Sequence, residues 1–364
     1  MTFETVQHPS PTSDAERAAL MADPVFGRVF SDHMVTIRWT SDKGWHDAKV
    51  RAREPFQLDP ASAVLHYAQE IFEGLKAYRS ADGGVTMFRP DENARRFNMS
   101  AQRMAMPEMP EELFVQACEE LIRADETWIP GGEGSFYLRP FMFANETFLG
   151  VKPASDFIFC VIACPVGAYF KGGAKPVKIW LSEDYARSGP GGTGAAKCGG
   201  NYAASLVAQA EAIREGCDQV VFLDAAEHKW VEELGGMNLF FVFDDGSMVT
   251  PPLSGTILPG ITRKSVIELA RAEGRAVQER PYSIEEWRAD AESGKLREVF
   301  ACGTAAVIVA VGELQSAHGG FMIGGSQTGP VTTKLREELV AIQRNKAPAP
   351  KGWVHQVKLE KLDA

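Results

Sequence analysis

The sequence predicts a two-domain chain of mixed α and β structure (α+β), and three observations carry that prediction. Its 364 residues exceed one ordinary domain of roughly 100–200 residues. Short strand-like runs and helix-period runs succeed one another along the chain. A stretch containing Gly, Pro and Lys, residues 167–176, interrupts the pattern near the middle. The division that follows is an N-terminal extension at 1–24, a smaller N-terminal domain at 25–166, a linker at 167–176 and a larger C-terminal domain at 177–364.

Residues 1–24 carry Pro9, Pro11 and Pro24 and read as an extension outside the core. Met34–Thr40 alternates as a strand and pairs with Gly44–Arg53 through a turn at Ser41-Asp42-Lys43-Gly44. In Leu65–Tyr78 the first half reads as one helical turn and the part from Gly74 as a strand. Val85–Arg89 is a short strand. Asp91 is placed to cap a helix running to about Met104, and Pro110–Ala124 is a second helix. Phe136–Glu146 and Asp156–Cys164 are strands. Beyond the linker come a strand at Val177–Glu183 and a helix at Ala203–Glu215. Gln219–Asp224 is a strand, and Trp230–Phe243 reads as one long strand. Ser247–Thr250 is short and stops at Pro251-Pro252. Ile261–Glu273 is a helix with apolar residues at 266, 267, 269 and 270. Ala276–Tyr282 is a strand, Ser283–Ser293 a helix, and Glu298–Ala301 and Ala306–Val311 are strands. Thr332–Arg344 is the last helix. The lysines at 346, 351, 358 and 361 make a solvated tail.

Composition excludes several classes of function. A net charge of −10 argues against nucleic acid or an anionic membrane as main partner. The longest apolar runs, Phe157–Cys164 and Val299–Gly312, fall short of the roughly 20 residues a membrane span needs. The first 30 residues contain no apolar stretch of the kind a secretory signal carries. The six cysteines form no CxxC pair and no His cluster accompanies them, so free thiols in a reducing cytoplasm are expected, and no metal site.

One stretch has an unusual frame. From Gly189 to Gly200 half of the twelve residues are glycine, and Lys197 sits among them just ahead of a helix. Glycine lets backbone approach a ligand closely. This reads as a nucleophilic lysine that forms a Schiff base with a carbonyl cofactor, set against a flexible loop with an incidental surface lysine. Such a cofactor needs an acid on its ring nitrogen, a partner for its phenolate and a phosphate cup. Glu232 and Glu233 are the acid candidates. Successive strand residues face opposite sides, so one of them serves; the alternative is a solvated acidic pair. Leu258–Arg263 runs into a helix start, where Ile261 and Thr262 offer amides to a phosphate, unless Thr262 is simply the cap. The small residues at Cys302–Ala306 form another place for an anion. Arg95, Arg96 and Arg103 are equal candidates for the cationic partner. Tyr202 is placed for the phenolate, or is a core tyrosine.

Taken together, Lys197–Tyr202, Glu233–Asn238, Gly255–Arg263 and Phe300–Ala305 resemble the branched-chain amino acid aminotransferases, fold-type IV pyridoxal phosphate enzymes. The resemblance extends to Phe30–Met34, His66-Tyr67, Phe72–Ala77, Ser100–Arg103, Tyr137–Pro140 and Cys164–Phe170, in one order along nearly the whole chain.

The resemblance implies a small N-terminal α/β domain, a large C-terminal pyridoxal phosphate domain with a barrel-like sheet, and an active site at their interface. It implies that Lys197 carries the cofactor as a Schiff base and shuttles the proton. Glu233 then takes the ring nitrogen, Tyr202 the phenolate, and Arg103, Ile261, Thr262 and Thr304 the phosphate. Thr304 and Ala305 are implied to hold the substrate α-carboxylate. Phe26, Tyr67, Phe72, Tyr137 and Tyr169 line the side-chain pocket, with Arg139 for the distal carboxylate of glutamate. Leu149 and Val151 match a loop that reaches a neighbouring subunit, so a homodimer is implied. The implied reaction is ping-pong transamination of leucine, isoleucine and valine with 2-oxoglutarate. A D-amino acid transaminase, an aminodeoxychorismate lyase and a non-catalytic binding protein are alternatives on the same fold. Two departures stand out. Gly236 replaces a threonine frequent in the family, and Ala306 and Val309 stand where some animal enzymes carry a redox CxxC.

Overall fold

The computed structural model describes residues 1–80, 83–167 and 175–359. The architecture is mixed α/β, with eight α-helices and two nine-stranded sheets among the described residues. The chain forms two compact units. One comprises Met1–Tyr169, Ala196–Gly199 and Ala341–Ala364, the other Phe170–Ala195 and Gly200–Val340.

In chain order the first unit contributes β1 (Glu4–Thr5), α1 (Asp14–Met21), β2 (His33–Thr40), β3 (Gly44–Ala52), α2 (Ala63–Tyr67) and β4 (Glu70–Phe72). It continues with β5 (Leu75–Arg79), β6 (Val85–Phe88), α3 (Pro90–Arg103), α4 (Glu111–Ala124), β7 (Ser135–Ala144) and β8 (Asp156–Val166). The next elements are β9 (Val177–Ser182), α5 (Gly199–Arg214), β10 (Gln219–Leu223), β11 (Val231–Leu234), β12 (Asn238–Phe243), β13 (Met248–Thr250) and α6 (Ile261–Ala272). Then come β14 (Val277–Glu279), α7 (Ile284–Glu292), β15 (Leu296–Gly303), β16 (Val307–Ser316), β17 (Gly319–Met322) and α8 (Pro330–Gln343). The last strand, β18 (Val354–Val357), lies in the first unit.

The first sheet runs β1-β3-β2-β8-β7-β5-β6-β18, with β4 also on β7. Its strongest pairing is antiparallel β7 with β8, in register from Ser135 opposite Val166 to Ala144 opposite Phe157. Strand alternation sends Phe136, Leu138 and Met142 into the core and turns Tyr137 and Arg139 to the other face. Helices α3 and α4 cover the core face, where the rings of Phe97, Phe114 and Phe159 meet at centroid distances of 5.3–6.0 Å. One ion pair is sealed within this unit. Arg96 donates twice to Glu73, at 2.7 and 2.8 Å, and Asn93 adds a third bond at 2.7 Å.

The second sheet runs β11-β10-β9-β16-β15-β12-β13-β14, with β17 on β16. Parallel pairs (β9 with β10 and β16, β13 with β14) mix with antiparallel ones. Phe241, Tyr282 and Trp287 pack within it at 4.5–4.9 Å. Ser283 and Glu286 form a capping box that starts α7.

Several expectations change. Trp230–Phe243 is two strands, because the chain turns at Gly235-Gly236 and Leu234 N–H bonds the Met237 carbonyl at 2.9 Å. Asp91 is not a cap. Arg89 holds the N-cap position in the left-handed region, Pro90 opens α3, and Asp91 pairs with Arg95 at 2.8 Å. The extension at 1–24 contains α1, capped by Ser13, and β1, which pairs with β3. The tail is not simply solvated, since Val354–Val357 pairs antiparallel with β6 and the Trp353 carbonyl accepts the Arg89 N–H at 2.8 Å. The stretches 196–199 and 341–364, assigned from sequence to the C-terminal domain, belong to the first unit. Their bonds explain it. The Lys197 carbonyl accepts from Phe72 N–H at 2.9 Å, and the Arg344 guanidinium donates to the Gly132 carbonyl at 2.6 Å.

Candidate active site

In the first unit, residues of β4 and β7 converge with Lys197. Ala196 and Cys198 are buried in the core beside it, 1% exposed each. Lys197 is half-buried, and its ammonium lies over the Phe72 ring at 4.7 Å. The Arg139 guanidinium lies over the same ring at 4.8 Å and donates to the Tyr137 hydroxyl at 3.1 Å. Tyr137 meets Phe26 edge-on at 4.9 Å. A Cβ at Gly74 would collide with the Tyr137 hydroxyl, so glycine there is what admits this ring. Five of the expected residues (Lys197, Phe72, Arg139, Tyr137 and Phe26) thus form one connected set.

Tyr67 lies apart from that set in its bonding. Its hydroxyl donates to the Leu149 carbonyl, and its ring stacks on Phe148 at 6.3 Å. Leu149 and Val151 are 67% and 91% exposed. Arg103 is exposed at the last position of α3. Tyr169 lies outside the described residues.

In the second unit the two adjacent glutamates are both buried, so the solvated-pair reading is wrong. They face different partners, as alternation requires. Glu233 pairs with Arg187 at 2.8 Å, accepts the Leu258 N–H at 2.9 Å and accepts from the Asn238 amide at 3.3 Å. Glu232 accepts the Thr256 hydroxyl, and its other oxygen has no hydrogen-bond partner among the described residues. Burial raises the Glu232 carboxyl above its ordinary range. The Thr256 bond and the Arg187 charge oppose that shift, and the Asp224 charge adds to it.

Asn238 also donates to the Leu258 carbonyl at 3.0 Å. A Cβ at Gly260 would strike its side-chain oxygen. The start of α6 is thereby set beside Glu233. Gly260 is the N-cap residue, not Thr262, and it brings no side chain to cap the helix. The amides of Ile261 and Thr262 have no carbonyl within the helix to bond. A site of this kind suits an anion.

Tyr202 stands in the first turn of α5, and a Cβ at Gly236 would lie 3.8 Å from its ring. Thr304 and Ala305 sit half-buried in the tight turn between β15 and β16, where Gly303 faces Val307. Val307 closes that turn at φ 63°, an outlier for a β-branched residue. Backbone strain of this sort clusters at functional positions.

Arg187 escaped the sequence reading. It is 3% exposed and, besides Glu233, it donates to the carbonyls of Thr256 at 3.2 Å and Gly194 at 3.4 Å. A Cβ at Gly194 would fall on the Thr256 carbonyl, so the glycine loop is pressed against the segment that Arg187 holds. A lone arginine ten residues before Lys197 carries no motif. Asn238 was signalled, as the last residue of the Glu233–Asn238 block.

Residues 70–314 match the model of the amino-transferase class IV family. The chain belongs to that family, and it is an aminotransferase. Its relatives are specific. It is 56% identical over 356 residues, 97% of this chain and 98% of the other, to a probable branched-chain-amino-acid aminotransferase of Streptomyces coelicolor. The crystal structure of the Escherichia coli branched-chain amino acid aminotransferase superposes with a TM-score of 0.73 at 30% identity, covering 88% of this chain and 99% of that one. The branched-chain amino acid aminotransferase of Thermobaculum terrenum, in its PLP-form, gives 0.72 at 26% identity over 88% of this chain and 98% of that one.

Membership of this class implies pyridoxal 5'-phosphate, and the residues present fit it. Glu233 is a buried carboxylate oriented by three donors. The start of α6 has open amides for a phosphate. Gly236 brings no side chain toward the Tyr202 ring, where a Cβ would make ordinary van der Waals contact at 3.8 Å.

Proposed function

We propose that this enzyme exchanges amino groups between L-leucine, L-isoleucine or L-valine and 2-oxoglutarate, by ping-pong chemistry with pyridoxal 5'-phosphate. The carrying observation is the Phe72 ring, flanked by the Lys197 ammonium at 4.7 Å and the Arg139 guanidinium at 4.8 Å. Amine chemistry and carboxylate recognition meet there on one apolar wall.

When bound, the cofactor supplies an electron-withdrawing ring that stabilises the charge left at the substrate α-carbon. Lys197 anchors it, and the Lys197 side-chain nitrogen takes the α-proton and returns it. Glu233 holds a proton on the ring nitrogen, and the Tyr202 hydroxyl bonds the phenolate. Arg103, the amides of Ile261 and Thr262, and Thr304 hold the phosphate. Thr304 and Ala305 hold the α-carboxylate. Phe26, Tyr67, Phe72, Tyr137 and Tyr169 bury an aliphatic side chain, at roughly 0.8 kcal/mol per CH₂. Arg139 meets the distal carboxylate of glutamate, which is costly to bury unpaired. The exposed Leu149 and Val151 belong to a loop that reaches the partner subunit of a cytoplasmic homodimer.

Lys197→Ala tests the central assignment. It loses turnover and the borohydride-reducible visible band; cofactor trapped on another lysine overturns it. Paired assays with L-leucine, D-alanine and aminodeoxychorismate test the substrate class, and comparable D-alanine turnover rejects it.

A further inference from the structure

Two elements of the first unit fix the backbone that carries Lys197. Strand β4 grips it twice. Phe72 N–H donates to the Lys197 carbonyl at 2.9 Å, and the Glu70 carboxylate accepts the Gly199 N–H. Helix α3 grips it once, because Lys197 N–H donates to the hydroxyl of the fully buried Ser100 at 2.9 Å. That hydroxyl donates in turn to the Arg96 carbonyl at 3.0 Å. Arg96 is tied through its two-pronged ion pair to Glu73, the neighbour of Phe72. The three grips are therefore cross-linked by one buried ion pair.

Two further features point to Glu70 in particular. A Cβ at Gly199 would collide with its carboxylate oxygen, so the glycine permits the close approach. Gly199 is also the first residue of α5, where a negative charge is favoured by the open amides and the helix dipole.

We infer that Glu70 is a positioning residue for the reaction, holding the Gly199 amide and with it the pitch of the Lys197 backbone, in concert with Ser100. The inference rests on Lys197 being the cofactor lysine. Removing the grip leaves the substrate contacts of Arg139 and Tyr137 in place and loosens the lysine. The signature is a loss in kcat without a matching change in KM.

The test uses the cofactor-loaded enzyme and its Glu70→Ala, Glu70→Gln and Ser100→Ala variants. Glu70→Ala lowers kcat about tenfold with the amino-acid KM within about twofold, as for an interaction lost after binding. Deuterium uptake in the peptide spanning 196–200 quickens. Glu70→Gln keeps an acceptor for the Gly199 N–H, and both readouts return toward the parent. Ser100→Ala repeats the pattern through the other grip and serves if Glu70→Ala does not fold. Folded Glu70→Ala or Ser100→Ala with unchanged kcat and unchanged exchange overturns the inference, as does a Glu70→Gln variant as impaired as Glu70→Ala. Borohydride trapping on the unmutated protein separates the two failures. Label on Lys197 with indifferent variants sinks the positioning role alone, and label elsewhere sinks the cofactor assignment beneath it.

Discussion

The Arg187 guanidinium and the Glu233 carboxylate lie 2.8 Å apart, and both side chains are 2% exposed. Breaking a buried pair costs far more than the pair contributes, because the remaining charge is stranded without water. Arg187→Leu is expected to lower unfolding free energy by about 3–5 kcal/mol. Urea unfolding measures it, and Arg187→Lys recovers part of the loss by keeping the charge.

Glu232 gives a pH dependence of definite sign. Its folded carboxyl is raised by burial, so the folded state holds that proton more tightly than the unfolded state. Stability then falls as pH rises from the ordinary glutamate value of about 4.3 through the raised folded value, and levels off above it. Glu232→Gln removes this loss. Its melting temperature should match the parent near pH 4 and exceed it by a margin that grows as pH rises through the raised folded value and then holds steady; a constant offset from pH 4 upward would refute the explanation.

Gly236 has space for a side chain, and its φ is not among the positive ones. Gly236→Thr is expected to fold and to gain up to about 0.4–1 kcal/mol by restricting the unfolded chain. Thermal unfolding with and without pyridoxal phosphate checks this. A gain in cofactor affinity beyond the gain in stability would show that the added hydroxyl reaches the ring.

All six cysteines are buried and free, and burial pushes the Cys302 thiol up to about 12. The thiolate is the reactive form. Native protein should react with a thiol reagent at neutral pH at close to none of its cysteines, and unfolded protein at all six. Ala306 and Val309 are themselves buried at 3% each.

The tight packing around Lys197 was legible because close backbone approach leaves a written trace. A Cβ at Gly194 would fall on the Thr256 backbone carbonyl, and one at Gly199 would displace the Glu70 carboxylate. Glu232 and Glu233 were legible as a pair that divides between two faces; which of them serves a cofactor is only what the resemblance implies, since alternation does not choose. Arg187 was not legible, because its meaning lies in partners distant in sequence. The break after Leu234 was hidden by apolar residues on both sides of the two glycines. Strand β18 was hidden for another reason: Val-His-Gln-Val is an ordinary tetrapeptide until Val357 is seen opposite Val85. Asp91 misled because a good capping residue lies next to a proline, and Pro90 starts the helix one position earlier.

The pairing of β18 with β6 has a consequence for synthesis. A chain emerging from the ribosome makes Val85–Phe88 long before Val354–Val357. Until then one margin of the first sheet carries unsatisfied amides and carbonyls, the kind of border that recruits a strand from another molecule. Nascent chains crowded on one message share this vulnerability throughout translation of the intervening residues. The late segment therefore satisfies the free side of β6 and becomes the margin itself, so pairing of β6 waits on its arrival and not on completion of residues 1–166.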